Sequence, residues 1–185
     1  MPTHARVVST TVAVLLWAGL AHGDLTYPLN ATLDARAKSA ATTINSSVTI
    51  SVERLMEESR RVRVTDGLKF NGYPGFVKVL RVLPPVGTIA LASRKVEIRY
   101  AHEQAHKDGR RLVVVADQPL FFLAADPSKP RAGYELTIVE LIVDGKGGVT
   151  GTMTGAARVK PGPDGVPVLD DFAEIPVRLE GRLKP

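Results

Sequence analysis

At 185 residues and 44% hydrophobic content, the chain carries enough apolar material for one globular domain with a sizeable core. Lysine and arginine (24) outnumber aspartate and glutamate (19) only mildly, and aromatic residues make up just 5%; this excludes the concentrated basic surface of a nucleic-acid binder, and no nucleic-acid partner is expected. There is no cysteine, which excludes disulfides, a thiol nucleophile and a cysteine-borne lipid anchor.

The first residues carry an export pattern. Arg6 supplies a positive start, Val12 to Leu20 is a short apolar run, and Ala21-His22-Gly23 offers small residues for cleavage. The run, headed by Ser9, Thr10 and Thr11, is too short for a stable membrane span. The expectation is a signal peptide over 1–23 and a single β-rich domain over 24–185, secreted or periplasmic after cleavage. A retained anchor is the alternative.

Leu25, Tyr27, Leu29, Ala31, Leu33, Ala35 and Ala37 alternate with mostly polar partners, which predicts a long strand with one buried face and Pro28 near its start. Ala40 to Ser47 is small and polar and reads as a turn. Val48, Ile50 and Val52 then resume the alternation.

Between Glu57 and Pro85 the alternation mostly stops, and the pattern predicts a helical insert over about 57–83. Its second half is the clearer: Pro74 suits a first helical position, Phe76, Val79, Leu80 and Leu83 recur at helical spacing, and Pro84-Pro85 ends the run. The first half, Glu57 to Asn71, contains the poor helix formers Val62, Val64, Thr65 and Gly67. Glu57 and Glu58 at the positive end of the dipole, a Glu57/Arg61 pairing and Gly72 as a stop support a helix. A hairpin turn at Asp66-Gly67, with Val62 and Val64 on the strand before it, is the alternative. Arg60-Arg61-Val62-Arg63, the one dense basic spot, reads as a solvated face.

After the insert, Val86 to Ala92 and Lys95 to Tyr100 read as short strands, with Val96, Ile98 and Tyr100 on one face. Asp108-Gly109 is a hairpin turn into Leu112-Val113-Val114-Val115, a run expected to be buried on both sides. Gln118-Pro119 breaks it and Leu120 to Ala124 resumes; Asp126 to Gly133 is a loop. Gly145-Lys146-Gly147-Gly148 and Gly162-Pro163-Asp164-Gly165 are further turns. The last strand sets Ile175, Val177, Leu179, Gly181 and Leu183 against Arg178, Glu180 and Arg182.

The fold class is therefore mainly β: eight to ten antiparallel strands in a barrel or two-sheet sandwich, with a helical insert. The first and last strands, both long and one-sided, could pair and remove two edges. The arrangement is similar in outline to the fatty-acid-binding and lipocalin architectures, with no shared motif.

His102-Glu103-Gln104-Ala105-His106 matches HExxH and resembles the zincin metalloprotease signature. That resemblance implies a zinc-dependent hydrolase with His102 and His106 as ligands and Glu103 as general base. It requires a helix, where residues four apart have Cβ atoms about 5–6 Å apart. On a strand the same pair is about 13 Å apart and cannot share a metal. The alternation before the motif and the turn after it predict strand, hairpin, strand. Outside this zinc reading no cofactor is expected. Asp164, Asp170, Asp171 and Glu174 concentrate carboxylates near the C terminus without the spacing of a calcium loop.

The strand Val149 to Val159 places Val149, Gly151, Met153, Gly155, Ala157 and Val159 on one face. Glycines within a strand suggest that something approaches closely. Either the second half of the insert packs there or the space holds an apolar ligand, with Tyr73 as a rim aromatic. The functional expectation is an exported, non-enzymatic protein that binds an apolar small molecule or an envelope protein under its insert, through Tyr73, Phe76, Gly151, Met153 and Gly155.

Overall fold

The computed structural model describes residues 30–37, 45–120 and 132–184. The expected leader at 1–23, the head of the first strand, residues 40–44 of the expected turn and residues 121–124 lie outside the described residues; Asn45–Ser47, expected to complete that turn, open a strand instead. What is described is mainly β, with strands β1 (Asn30–Ala37), β2 (Asn45–Val52), β3 (Gly87–Leu91), β4 (Arg94–His106), β5 (Gly109–Ala116), β6 (Leu136–Val143), β7 (Gly148–Pro161), β8 (Pro167–Phe172) and β9 (Val177–Lys184). One long helical element, α1 (Glu58–Arg81), enters between β2 and β3. No helix among the described residues is long and apolar enough to cross a membrane.

All pairings are antiparallel. Each strand from β1 to β7 bonds the next, β7 also bonds β9 through Gly148–Met153, and β9 bonds β1. The pairing of first and last strands is continuous, from Asn30 opposite Lys184 to Ala37 opposite Val177. β8 pairs with the far end of β7.

The sheet separates two apolar layers. On one face Val48, Ile50, Ile89, Ile98, Leu112, Val114, Val139, Leu141, Met153 and Leu179 meet one another. On the other, Tyr100, Val113, Val115, Leu136, Ile138, Ala157 and Val159 meet Val64, Leu68, Phe76 and Leu80 of α1. Thus β5 is buried on both sides, as its unbroken Leu112–Val115 run predicts.

Two bulges correct the face assignments. In β4, Ile98 pairs with Ala116 and Tyr100 with Val115, so Arg99 is an extra residue. Tyr100 is therefore carried to the α1 side and does not share a face with Val96 and Ile98. Arg99 donates to the Leu83 carbonyl (2.6 Å), just past α1, and sits 3.3 Å from Asp117 Oδ2. In β7, Thr154 opposes Ile138 and Ala157 opposes Leu136, leaving three steps on β7 against two on β6. Val149 and Met153 consequently belong to the strand-only layer, whereas Ala157 and Val159 belong to the helix-covered one. The single face expected from Val149 to Val159 does not exist.

The helical insert spans Glu58–Arg81, and the hairpin alternative at Asp66-Gly67 is not adopted. Gly72 breaks the helix, with φ 65° and ψ −164°, a conformation that glycine enters without steric penalty. The halves fold back on each other there: a Cβ placed on Gly67 would lie 3.2 Å from Val79 Cγ2. The expected Glu57/Arg61 pair is replaced by pairs three residues apart, Glu57 with Arg60 (3.4 Å) and Glu58 with Arg61.

Candidate functional site

The turn at Gly72 determines what the second half of α1 presents. Phe76 and Leu80 point into the sheet and are fully buried, so the space directly under the insert is filled by side chains. The flank of the same segment, Tyr73, Pro74, Val77, Lys78 and Arg81, faces Gly133 and Glu135 at the approach to β6 across a cleft of about 560 Å³. Its wall is the Tyr73 ring, Pro74 and Val77, and Lys78 and Arg81 add two cations.

Tyr73 fixes the far wall. Its hydroxyl donates to Glu135 Oε2 (2.6 Å) and accepts from the Glu135 backbone N–H (3.0 Å), while Gly133 N–H donates to Glu135 Oε1 (3.1 Å). Burial alone would raise the Glu135 pKa. The Tyr73 hydroxyl and the Gly133 N–H outweigh it and hold the carboxyl below its usual range. The Tyr73 phenol is pushed well upward, first by burial and then by the neighbouring carboxylate, so it remains a donor across the working pH range. The Arg158 guanidinium carbon lies 5.7 Å from the Tyr73 ring centroid, within cation–π range.

Of the five residues expected to bind a ligand, Tyr73 alone lines this cleft. Phe76 is core beneath α1, and Met153 packs in the strand-only layer. Gly151 abuts β6, where an added Cβ would meet the Glu140 carbonyl oxygen at 2.0 Å. At Gly155 the approaching group is the backbone of Leu120, not the insert. Leu120 N–H donates to the Gly155 carbonyl (2.7 Å), and an added Cβ would lie 1.8 Å from the Leu120 oxygen.

His102, Glu103 and His106 all lie on strand β4, so the helix on which the zincin resemblance depends is not formed. Alternation turns His102 to the α1 side, near Arg61 and Glu58. Glu103 goes to the opposite face opposite Leu112, where Arg110 approaches its carboxylate at 3.2 Å. Burial, and then the Arg61 charge, lower the His102 pKa. The C-terminal carboxylates are dispersed: Asp170 faces Lys160 (3.3 Å), Asp171 accepts from the Tyr134 hydroxyl (2.6 Å), and Glu174 is buried beside Gly155. Among the described residues no three His, Asp or Glu side chains come together as a metal site.

Glu135, Gly133, Lys78 and Arg81 were not legible as site residues. Glu135 is 62 positions from its partner Tyr73, and no local pattern links them. Lys78 and Arg81 do carry a weak signal, since they lie with Pro74 on the polar stripe of an amphipathic segment. Comparison with protein-family models, with curated proteins and with solved structures finds no match to this chain.

Proposed function

We propose that the chain is a non-enzymatic binding protein whose ligand is a small molecule with an apolar body, held beside the helical insert and not beneath it. The observation that carries this reading is the cleft of about 560 Å³ along Tyr73, Pro74 and Val77. Its size falls within the range of about 300–1,000 Å³ of small-molecule pockets, and it combines an apolar wall with a few fixed polar groups. Tyr73 is held rigidly by Glu135, so this wall is preformed and little ordering opposes binding.

The same reading takes the sheet as a barrel. Its support is the run of pairings in which β6 bonds β7, β7 bonds β9 and β9 bonds β1. Eight strands enclose a space that side chains alone can fill, in keeping with the apolar layer from Val48 to Leu179. Ligand capacity is therefore assigned to the outside of the sheet. Export to a secreted or periplasmic location is part of the proposal and rests on the sequence pattern of residues 1–23.

Titration with an environment-sensitive apolar dye tests the assignment. The protein is expected to bind one dye per chain, and Val77→Phe, which fills the cleft with a larger apolar group, is expected to abolish binding while leaving the melting transition cooperative. Undiminished dye binding in a folded Val77→Phe protein would refute the cleft as the site.

A further inference from the structure

The charges around the cleft say more about its occupant than its volume does. Lys78 and Arg81 both line it and both are exposed; neither shows a direct hydrogen bond among the described residues, and Arg81 acts on Glu135 and on the Tyr73 phenol through its charge. Glu135, the lining carboxylate, is already committed. One oxygen takes the Tyr73 hydroxyl and the other the Gly133 N–H, so its role is to hold the wall. Among the described residues, two cations, one of them close enough to Glu135 to help hold its carboxyl down, stand against one engaged carboxylate and leave a net positive mouth beside an apolar surface. Such a mouth repels an ammonium, and a neutral head can accept a hydrogen bond there but gains no ionic attraction. A carboxylate, sulfate or phosphate head would supply the acceptors these donors lack.

We infer that the ligand is an amphipathic anion, its apolar tail against Tyr73, Pro74 and Val77 and its anionic head between Lys78 and Arg81. The inference rests on the proposed cleft and deepens it. Lys78 and Arg81 are three residues apart on one helical segment, so their side chains emerge as neighbours and can converge on one head group. The wall beneath them is rigid, whereas the two cations are free to adjust. Affinity is therefore assigned mainly to the tail, and selectivity to the head.

The test titrates the whole chain, by calorimetry, with probes that share a tail and differ in head: decanoate, decanol and decylammonium, each below its aggregation threshold. Decanoate is expected to bind most tightly and decylammonium most weakly, and the preference for decanoate should shrink as salt is raised. The double variant Lys78→Ala/Arg81→Ala is expected to lose about tenfold in decanoate affinity, the scale of one charge-assisted contact in an open site, with a much smaller change for decanol. Both side chains are exposed, so the variant should fold as the parent does. Equal affinity for decanoate and decanol, with neither altered by the double variant, would overturn the anionic head while leaving the cleft assignment standing. Failure of all three probes to bind would overturn the cleft assignment and this inference together. An acidic peptide without an apolar tail is run alongside; tighter binding of that peptide than of decanoate would replace the small amphiphile with a protein partner.

Discussion

The two apolar layers of this protein are built differently. The strand-only layer is almost wholly aliphatic, contributed in alternate positions by β2 to β7 and β9, with Met153 its most adaptable member. The helix-covered layer joins α1 to β4, β5, β6 and β7 and includes two tyrosines. The aliphatic layer contributes stability through packing. A layer made by laying a helix along a sheet has an edge, and at that edge Tyr73 turns its hydroxyl to Glu135 and its ring to the cleft. Polar chemistry collects where the second layer ends.

The sharpest break between the layers should come from truncating one large side chain in each. Phe76→Ala removes a fully buried ring and is expected to cost about 3–5 kcal/mol, read from denaturant melts. Met153→Ala should cost about 2–5 kcal/mol through the same loss of packing. The two should differ in dye binding: loosening the layer beneath α1 should weaken it, whereas loosening the strand-only layer should not. Equal weakening by both would show that the layers communicate and that the cleft is not a local feature.

A smaller effect is expected at the β7 bulge. Gly155→Ala directs a methyl at the Leu120 carbonyl oxygen, a backbone atom that must shift for it to fit. The expected loss is about 1–3 kcal/mol, as for overpacking elsewhere, with dye affinity kept. A neutral or stabilising Gly155→Ala would mean that the Gln118–Leu120 segment does not hold this position.

Tyr73→Phe keeps the ring and removes the hydroxyl. It should cost about 1–2 kcal/mol, because Glu135 loses a donor and its own N–H loses an acceptor. The Glu135 pKa, followed by carboxyl chemical shifts, should rise toward its ordinary value. An unmoved Glu135 would argue that Gly133 alone orders that wall.

The smallest effect is a pH dependence from His102. Its folded-state pKa lies below the ordinary histidine value, so the unfolded chain binds the proton more readily. The stabilisation it contributes is present above about pH 6.5 and declines as pH falls through the window between the unfolded and folded values. Replacing it by glutamine should flatten stability against pH in that window. The charged groups facing it are Arg61, Glu58, Arg111 and Asp164. An unchanged slope would place the dependence elsewhere.

Much of this architecture was legible in the residues themselves. Alternation located most strands, turn chemistry located the hairpins, and helical spacing with Gly72 and Pro74 located the two-part insert. The strand character of His102 to His106 followed from the residues on either side, and that removes the premise of the zinc reading. The cleft was legible only through Tyr73. Its wall opposite α1 comes from Gly133 and Glu135, which meet α1 only because β6 begins beside it.

The sequence by itself determined the mainly β class, the position of the insert and the burial of β5 on both faces, because each follows from local periodicity and backbone preference. Only the tertiary structure decided which face each half of β4 and β7 presents. A bulge adds one residue on one strand of a pair, and the extra residue looks locally like any other. Arg99 and the Gly155-Ala156 step are extra only by comparison with Val115–Ala116 and Leu136–Ile138, their neighbours across the sheet. From each bulge onward the alternation continues with its faces exchanged, which carries Tyr100, Ala157 and Val159 to the helix and leaves Met153 behind.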